Sequence, residues 1–195
     1  MTVLTWMGVP GSPEQWATCG FEVSNGQFVV DGVVFEVGNE PAWGFDSLDG
    51  DVTRLGVPTY EKPKTTASSA HPNLVDRIDH VVYAVPDLDA ATKAIEDVVG
   101  LELRRRFHPR GPDGPEMAFY RAGPSVIEVA QGPPAPGLWG IAFLCMDLDA
   151  TVEAARAAGA PIGDPKPAVQ GGRIASIWKE HVGWGVAIME PRRPS

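Results

Sequence analysis

An internal repeat is the feature that most constrains the fold of this chain. The tetrad Asp-Leu-Asp-Ala occurs at residues 87–90 and again at 147–150, which is a spacing of 60 positions, and an apolar run precedes each copy. Each copy predicts a β-strand that leads into a helix, because Asp is a favoured residue at a helix N-terminus. The repeat therefore predicts two similar modules. The copies differ at one position, since His80 in the first corresponds to Gly140 in the second.

In each module the sequence predicts one strand, then a helix, then further strands. The first spans residues 76–131 and the second 138–191, and a Pro-rich bridge of a few residues joins them. The helices are expected to end at Gly100 and Gly159, because glycine commonly terminates a helix. In the first module the later strands are expected at 101–107, 116–122 and 125–130. In the second they are expected at 173–179 and 185–189, with a turn at 180–183.

The sequence before the two modules is predicted to form a separate structural unit. Residues 1–60 are expected to form a β-meander or a partial third module, with a short helix at 13–19. Its strands are expected at 3–9, 21–24, 27–30 and 33–37. Asn25-Gly26 and Asp31-Gly32 are expected to form tight hairpin turns, because these residues tolerate positive φ angles. Residues 61–75 contain too little apolar surface to fold and are interpreted as a linker to a domain at 76–195.

Charge and cysteine content exclude several classes of function. The net charge is −9, which argues against binding to nucleic acid or to an anionic membrane surface, since both depend on clustered Lys and Arg. No apolar run approaches the length of about 20 residues that a membrane-spanning helix needs. The N-terminus lacks the basic region of a signal peptide, so a cytoplasmic location is expected. Cys19 and Cys145 are interpreted as buried reduced thiols.

The tandem β-α-β-β-β pattern resembles the vicinal oxygen chelate superfamily, which includes glyoxalase I, bleomycin resistance proteins, extradiol dioxygenases and methylmalonyl-CoA epimerase. The resemblance covers residues 76–191 and rests on Ile78–Val82, Pro86–Ala90 and Val126–Val129. It implies an α+β fold in which tandem βαβββ modules form a half-open barrel, here with an extra N-terminal β-meander. It specifies the reaction weakly, because one fold supports many chemistries.

The resemblance also implies a site. In metal-using members each module supplies one ligand from its first strand and one from its last, which here gives His80 and Glu128 as metal ligands or catalytic residues. The corresponding positions of the second module are Gly140 and Ala187, which cannot bind a metal. A catalytic metal usually has three protein ligands. The sequence thus leaves the cofactor open between a divalent metal and none, and favours none.

Three further residues are candidates for ligand binding. Regular alternation in the run Arg104–Arg106 places Arg105 on the face opposite its two neighbours, where it could meet an anionic ligand. Trp139 and Trp178 belong to the second module and could stack on a flat ligand.

Three functions remain open from the sequence. The favoured one is metal-free binding of a small molecule at an incomplete metal site, as in the bleomycin resistance members. The alternative is a metal-dependent lyase, isomerase or dioxygenase that uses His80 and Glu128. A regulatory or structural module with a vestigial cavity is the third. The additional N-terminal sheet could close the barrel edge or build a homodimer, because an exposed edge strand invites pairing.

Overall fold

The computed structural model describes residues 1–169 and 171–191, which form two β-sheets and four α-helices. The strands are β1 (Leu4–Val9), β2 (Gln27–Val30), β3 (Val33–Val37), β4 (Ala42–Phe45), β5 (Thr59–Glu61), β6 (Val75–Val85), β7 (Leu103–Phe107), β8 (Met117–Ala122), β9 (Ser125–Gln131), β10 (Gly137–Cys145), β11 (Lys166–Pro167), β12 (Arg173–Ile177) and β13 (Gly185–Glu190). The helices are α1 (Pro13–Thr18), α2 (Leu88–Ala94), α3 (Leu148–Ala157) and α4 (Lys179–Val182). A 3-10 turn lies at Val52–Leu55, and a π-helical turn at Ile95–Val99 extends α2.

The eight-stranded sheet contains the two repeated modules. Its order is β11-β12-β13-β10-β6-β9-β8-β7, so β6 to β9 and β10 to β13 each form one module. In both modules the first strand runs parallel to the last, and the two first strands, β6 and β10, pair antiparallel at the centre. The sheet does not close into a barrel. The predicted α+β fold of tandem βαβββ modules is confirmed.

The repeated Asp residues begin the two module helices, as predicted. Asp87 accepts a hydrogen bond from the backbone amide of Ala90, and Asp147 accepts one from Ala150, both at 3.0 Å. These bonds satisfy amide groups that a helix N-terminus otherwise leaves unpaired. Among the described helices, none combines the length and the apolar character needed to cross a membrane.

One face of the eight-stranded sheet is covered and the other is open. The five-stranded sheet packs across the central strands of the covered face. There the Trp43 and Tyr83 rings lie 5.0 Å apart, and the Phe143 ring lies 5.0 Å from Phe21 and 5.5 Å from Phe35. Helix α2 packs on β8 and β9, and α3 packs on β12 and β13. These aromatic contacts between the two sheets therefore lie behind the eight-stranded sheet, and its opposite face is left open.

The N-terminal sheet has the topology of an incomplete module. Its order is β2-β3-β1-β4-β5, with β1 parallel to β3 and β3 antiparallel to β2. This is the arrangement of β6, β9 and β8 without the outermost strand. In the described part of the chain none of its strands pairs with the eight-stranded sheet, so it covers the back of that sheet and does not close the edge of a barrel.

Two local predictions are wrong. Residues 21–24 do not form a strand; Ser24 makes only an isolated bridge to Gln27. The backbone amides here bond outside any sheet: that of Phe21 donates to the carbonyl of Trp16 at 3.3 Å, and that of Glu22 donates to Nδ1 of His71 at 3.1 Å. The turn expected at 180–183 falls instead on helix α4, which Gly183 follows as the C-cap with a φ of 73°. The hairpin turns are confirmed, since both Asn25 and Asp31 have positive φ angles.

Residues 62–74, within the segment interpreted as a linker, contain no helix or strand, but their C-terminal end is packed. The Asn73 side-chain amide donates to the carbonyl of Cys19 at 2.9 Å. His71 is buried, and its Nδ1 accepts from the amide of Glu22 at 3.1 Å while Nε2 lies 2.9 Å from the carbonyl of Val29. These bonds require a neutral imidazole, and burial lowers the pKa of His71 accordingly.

Candidate functional site

A β-bulge in β6 places two consecutive polar residues on the open face. Ile78 pairs with Phe143 and His80 pairs with Ala142, so Asp79 is an extra residue in the ladder. In a regular strand neighbouring side chains point to opposite faces, whereas a bulge lets both share one face. Ile78 and Val81 are buried behind the sheet, and Asp79 and His80 lie in front. Asp79 was missed from the sequence, although two polar residues between apolar neighbours are a break in the alternation that could have revealed it.

The bulge joins His80 to Asp79. The His80 Nδ1 atom lies 2.7 Å from Oδ2 of Asp79, and the His80 side chain is 20% exposed. Burial opposes protonation of His80, but the hydrogen bond to Asp79 and the negative charge of Glu128 outweigh it, so the pKa of His80 is raised. With Nδ1 oriented by Asp79, Nε2 is the atom with which His80 can meet a ligand.

Glu128 lies on the same face, one strand away. It pairs with Val82 on β6, two positions beyond His80, and paired residues of neighbouring strands share a face. Glu128 is half-buried and makes no hydrogen bond or ion pair within the described residues. Burial raises its pKa, and the nearby charge of His80 offsets part of this effect. His80 thus stands between two carboxylates, which is an arrangement suited to hydrogen bonding or proton transfer.

The facing wall, from the second module, offers no polar side chain at the equivalent positions. Ala142 pairs with Ala187 as Val82 pairs with Glu128, and Gly140 pairs with Gly185. A Cβ atom on Gly140 would lie 2.5 Å from the carbonyl oxygen of Gly185, far inside van der Waals contact. A histidine at position 140 would therefore require β10 and β13 to move apart.

These residues do not fit a protein-bound catalytic metal within one chain. Among residues 1–169 and 171–191, no three His, Cys, Asp or Glu side chains are grouped so as to hold a metal ion. Glu190, the carboxylate residue of β13, is buried behind the sheet, where it pairs with Arg173 at 2.5 Å. His80 and Glu128 alone are fewer ligands than a catalytic metal normally has.

A second bulge lies in the arginine strand β7. Leu103 pairs with Tyr120 and Arg105 pairs with Phe119, so Arg104 is the extra residue. The alternation expected for Arg104–Arg106 is therefore wrong, and Arg104 joins Arg105 in lining one open cavity of about 570 Å³. The other residues lining this cavity are Met1, Phe119, Tyr120, Arg121, Gly123 and Val126.

Arg105 and Arg106 serve different faces of β7. The Arg105 guanidinium lies 4.7 Å from the centre of the Phe107 ring and 5.0 Å from that of Phe119, on the open face. Arg106 lies on the helix side, where it pairs with Asp89 of α2 at 2.5 Å and with Glu116 at 2.8 Å. Arg106 thus forms ion pairs that stabilise the fold, whereas Arg105 lies beside the candidate site.

The two tryptophans lie away from the cavity. Trp139 is an extra residue in β10 opposite β6 and is 53% exposed, and Trp178 precedes α4 and is 63% exposed. Neither is among the residues that line the cavity, so their role as ligand-binding residues stays a prediction.

The comparisons with known proteins agree with this architecture. The sequence model of a family described as the glyoxalase/bleomycin resistance protein/dioxygenase superfamily matches residues 79–176. Methylmalonyl-CoA epimerase from Mycobacterium tuberculosis is similar in structure, with a TM-score of 0.53, 24% identity, and coverage of 66% of this chain and 94% of that one.

Two further solved structures are similar in fold. A Streptomyces coelicolor methylmalonyl-CoA epimerase variant in complex with 2-nitronate-propionyl-CoA has a TM-score of 0.51 and 21% identity, covering 61% of this chain and 99% of that one. A hypothetical protein from Bacillus halodurans C-125 has a TM-score of 0.52 and 17% identity, covering 61% of this chain and 96% of that one. No curated protein matches the sequence. Because the superfamily match spans half of the chain, the protein belongs to the glyoxalase/bleomycin resistance protein/dioxygenase superfamily.

Proposed function

We propose that the protein binds a small organic molecule on the open face of the eight-stranded sheet, without a metal ion held by the protein. The observation that carries this proposal is the cluster of Asp79, His80 and Glu128 opposite a wall that has Gly140 and Ala187 at the equivalent positions. Such a face provides polar groups in the first module and small residues at the matching positions of the second. The expected behaviour is that of a sequestering member of the superfamily.

The cluster has both a donor and an acceptor for a polar ligand. A raised pKa keeps His80 protonated over a wider pH range than usual, so its Nε2 would donate a hydrogen bond. Glu128 would accept one, and a ligand donor there would supply the partner that its half-buried carboxylate lacks within the described residues. The same pair could move a proton on a bound substrate.

A metal-dependent lyase, isomerase or dioxygenase is the second candidate. It is favoured by the same Glu128 carboxylate, because a cation would also satisfy it. The epimerases among the similar structures make an isomerase one form of this candidate. His80 and Glu128 would be the protein ligands, and water, substrate or another chain would have to complete the coordination.

Metal analysis separates the two candidates. The purified protein would be loaded with Zn²⁺, Mn²⁺, Co²⁺ or Ni²⁺, desalted, and assayed for metal by mass spectrometry. The matched variants are His80→Ala and His108→Ala, since His108 is an exposed histidine on a turn outside the cluster. We expect substoichiometric metal in all three proteins. One metal per chain that is lost in His80→Ala and kept in His108→Ala would overturn the metal-free proposal.

The proposal includes a homodimer. The ends of the described eight-stranded sheet, β7 and β11, leave backbone groups unpaired that a second copy could bind. Light scattering during size-exclusion chromatography would give twice the chain mass, and a single-chain mass would contradict this part.

We also propose a cytoplasmic location, supported by two buried free thiols, Cys19 and Cys145. Detection of the protein in an oxidising compartment by cell fractionation would contradict it.

A further inference from the structure

The arginine-lined cavity is a feature that the proposed function does not yet use. Arg104, Arg105 and Arg121 converge on it, although the chain as a whole carries a net charge of −9. Arg104 and Arg121 have no ion pair within the described residues. A smaller neighbouring cavity is also lined by Arg104 and Arg121, and among the described residues Glu102 is the single acidic residue there. Among the described residues that line the two cavities, the guanidinium groups therefore outnumber the carboxylates.

The cavity also has an apolar wall. Phe119 and Val126 line it, and the Phe119 ring stacks on Phe107 with centroids 5.2 Å apart. Arg105 lies over both rings, which fixes the orientation of its planar group. The Arg121 Nη1 donates to the carbonyl of Pro124 at 2.8 Å, which holds that side chain at the hairpin. A volume of about 570 Å³ is within the range of small-molecule sites.

Strand pairing connects this cavity to the polar cluster. Across the sheet, His80 pairs with Val126, and Val126 pairs with Arg121. In a parallel row, Glu128 pairs with Phe119, and Phe119 pairs with Arg105. Adjacent strands are about 4.8 Å apart, so each row separates its polar residue from its arginine by about 10 Å. One small molecule can span that distance.

We infer that the cavity binds the carboxylate or phosphate group of an organic ligand whose apolar part rests on Phe119 and whose far end reaches His80. This inference deepens the proposed function, because it names the ligand class for the same face of the sheet. Guanidinium groups suit this role, since they bind carboxylate and phosphate oxygens through paired hydrogen bonds.

Phenyl phosphate is the probe, because it combines an aromatic ring with an anionic group. Binding would be followed by shifts of backbone amide signals in nuclear magnetic resonance spectra. Inorganic phosphate and phenol would test each half of the probe, and benzoate would distinguish a preference for carboxylate from one for phosphate. EDTA in all samples would keep the result independent of any metal.

The variants are Arg104→Gln and Arg121→Gln, with Arg54→Gln as the matched control. Arg54 is a surface arginine that pairs with Asp97 on the covered side of the sheet. We expect each cavity variant to weaken binding of phenyl phosphate about tenfold, which corresponds to one lost charged hydrogen bond. Arg54→Gln should bind as the wild type does, and the shifted amides should belong to β7, β8 and β9.

Equal affinity in the wild type and an Arg104→Gln/Arg121→Gln double variant would overturn the inference. Shifts with phenol as large as those with phenyl phosphate would also overturn it. His80→Ala should leave phenyl phosphate affinity within about twofold, since the arginines hold the anionic group and His80 does not line the cavity. If metal analysis instead finds a metal at His80 while anion binding still depends on the arginines, the metal-free proposal falls and the anion site stands.

Discussion

The two modules are alike on their covered face and different on their open face. Tyr83 and Phe143 occupy equivalent positions, 60 residues apart, and each packs an aromatic ring against the N-terminal sheet. On the open face the first module has His80 and Glu128 where the second has Gly140 and Ala187. The covered face is constrained by packing, whereas the open face contributes little to the core and is free to diverge. A nearly symmetric scaffold thus supports an asymmetric site.

The largest expected effect tests the shared covered face. Phe143→Ala should lower the free energy of unfolding by about 3–5 kcal/mol, because it leaves a cavity between the two sheets. Chemical denaturation would measure it. Leu144→Ala is the control on the same strand, since Leu144 is only partly buried, and it should lose about 1 kcal/mol. Equal losses would show that the covered face has no special role.

The next effect tests why the second wall has no side chain at position 140. Gly140→Ala should lower stability by about 2 kcal/mol, because the added Cβ collides with the carbonyl of Gly185. Gly132→Ala is the matched control, since a Cβ there meets nothing within 4 Å, and it should change stability by less than about 0.5 kcal/mol. A neutral Gly140→Ala would mean that the wall can accept a side chain.

A smaller effect comes from making the first wall like the second. Glu128→Ala should leave stability at pH 7 unchanged or raise it by up to about 1 kcal/mol, because it removes a half-buried carboxylate that lacks a hydrogen bond in the described residues. The raised pKa of Glu128 means that the folded protein holds this proton more tightly than the unfolded chain.

The pH dependence of Glu128 follows from that sign. The stabilisation that protonated Glu128 gives the folded state is present below the pKa that Glu128 has in the unfolded chain. It is lost as the pH rises through the raised pKa of the folded state, and Glu128→Ala should lack this pH-dependent stabilisation. Denaturation curves of both proteins across the acidic range would measure the difference. A substantial loss of stability in Glu128→Ala at pH 7 would mean that the carboxylate has a structural partner.

The smallest effect contrasts two histidines. His80 should titrate above its usual pKa because of Asp79 and Glu128, and buried His71 should titrate below it. The stabilisation from His80 is therefore present below the unfolded pKa and lost as the pH rises through the folded pKa. That from His71 is present above the unfolded pKa and lost as the pH falls toward the folded pKa. Imidazole proton resonances would give both midpoints, and the reverse order would contradict the assigned environments.

Local signals predicted the repeated modules well. The Asp residues that cap α2 and α3, and the Gly residues that follow these helices, mark the helix ends in the sequence itself. The N-terminal sheet was only partly predicted, because β4 and β5 are short and have no clear alternation. The insertion of β1 between β3 and β4 depends on distant contacts that no local pattern records.

The candidate site was predicted in part. His80 and Glu128 were named from the motifs of the resemblance, and pairing places them on one face. Asp79 and Arg104 were missed as site residues because strand alternation assumes a regular ladder, and each is the extra residue of a bulge. The orientation of a bulged residue is set by its partner strand, which a single sequence does not specify.

The bulges at Asp79 and Arg104 make the chemistry of the open face depend on residue count as well as residue identity. A regular strand presents every second side chain to a ligand, but β6 and β7 each present a consecutive pair of charged or titratable groups. Removing one residue from either strand would restore a regular ladder and delete one member of the pair. A deletion, more than a substitution, is thus the change by which a descendant of this chain could discard its site and keep its fold.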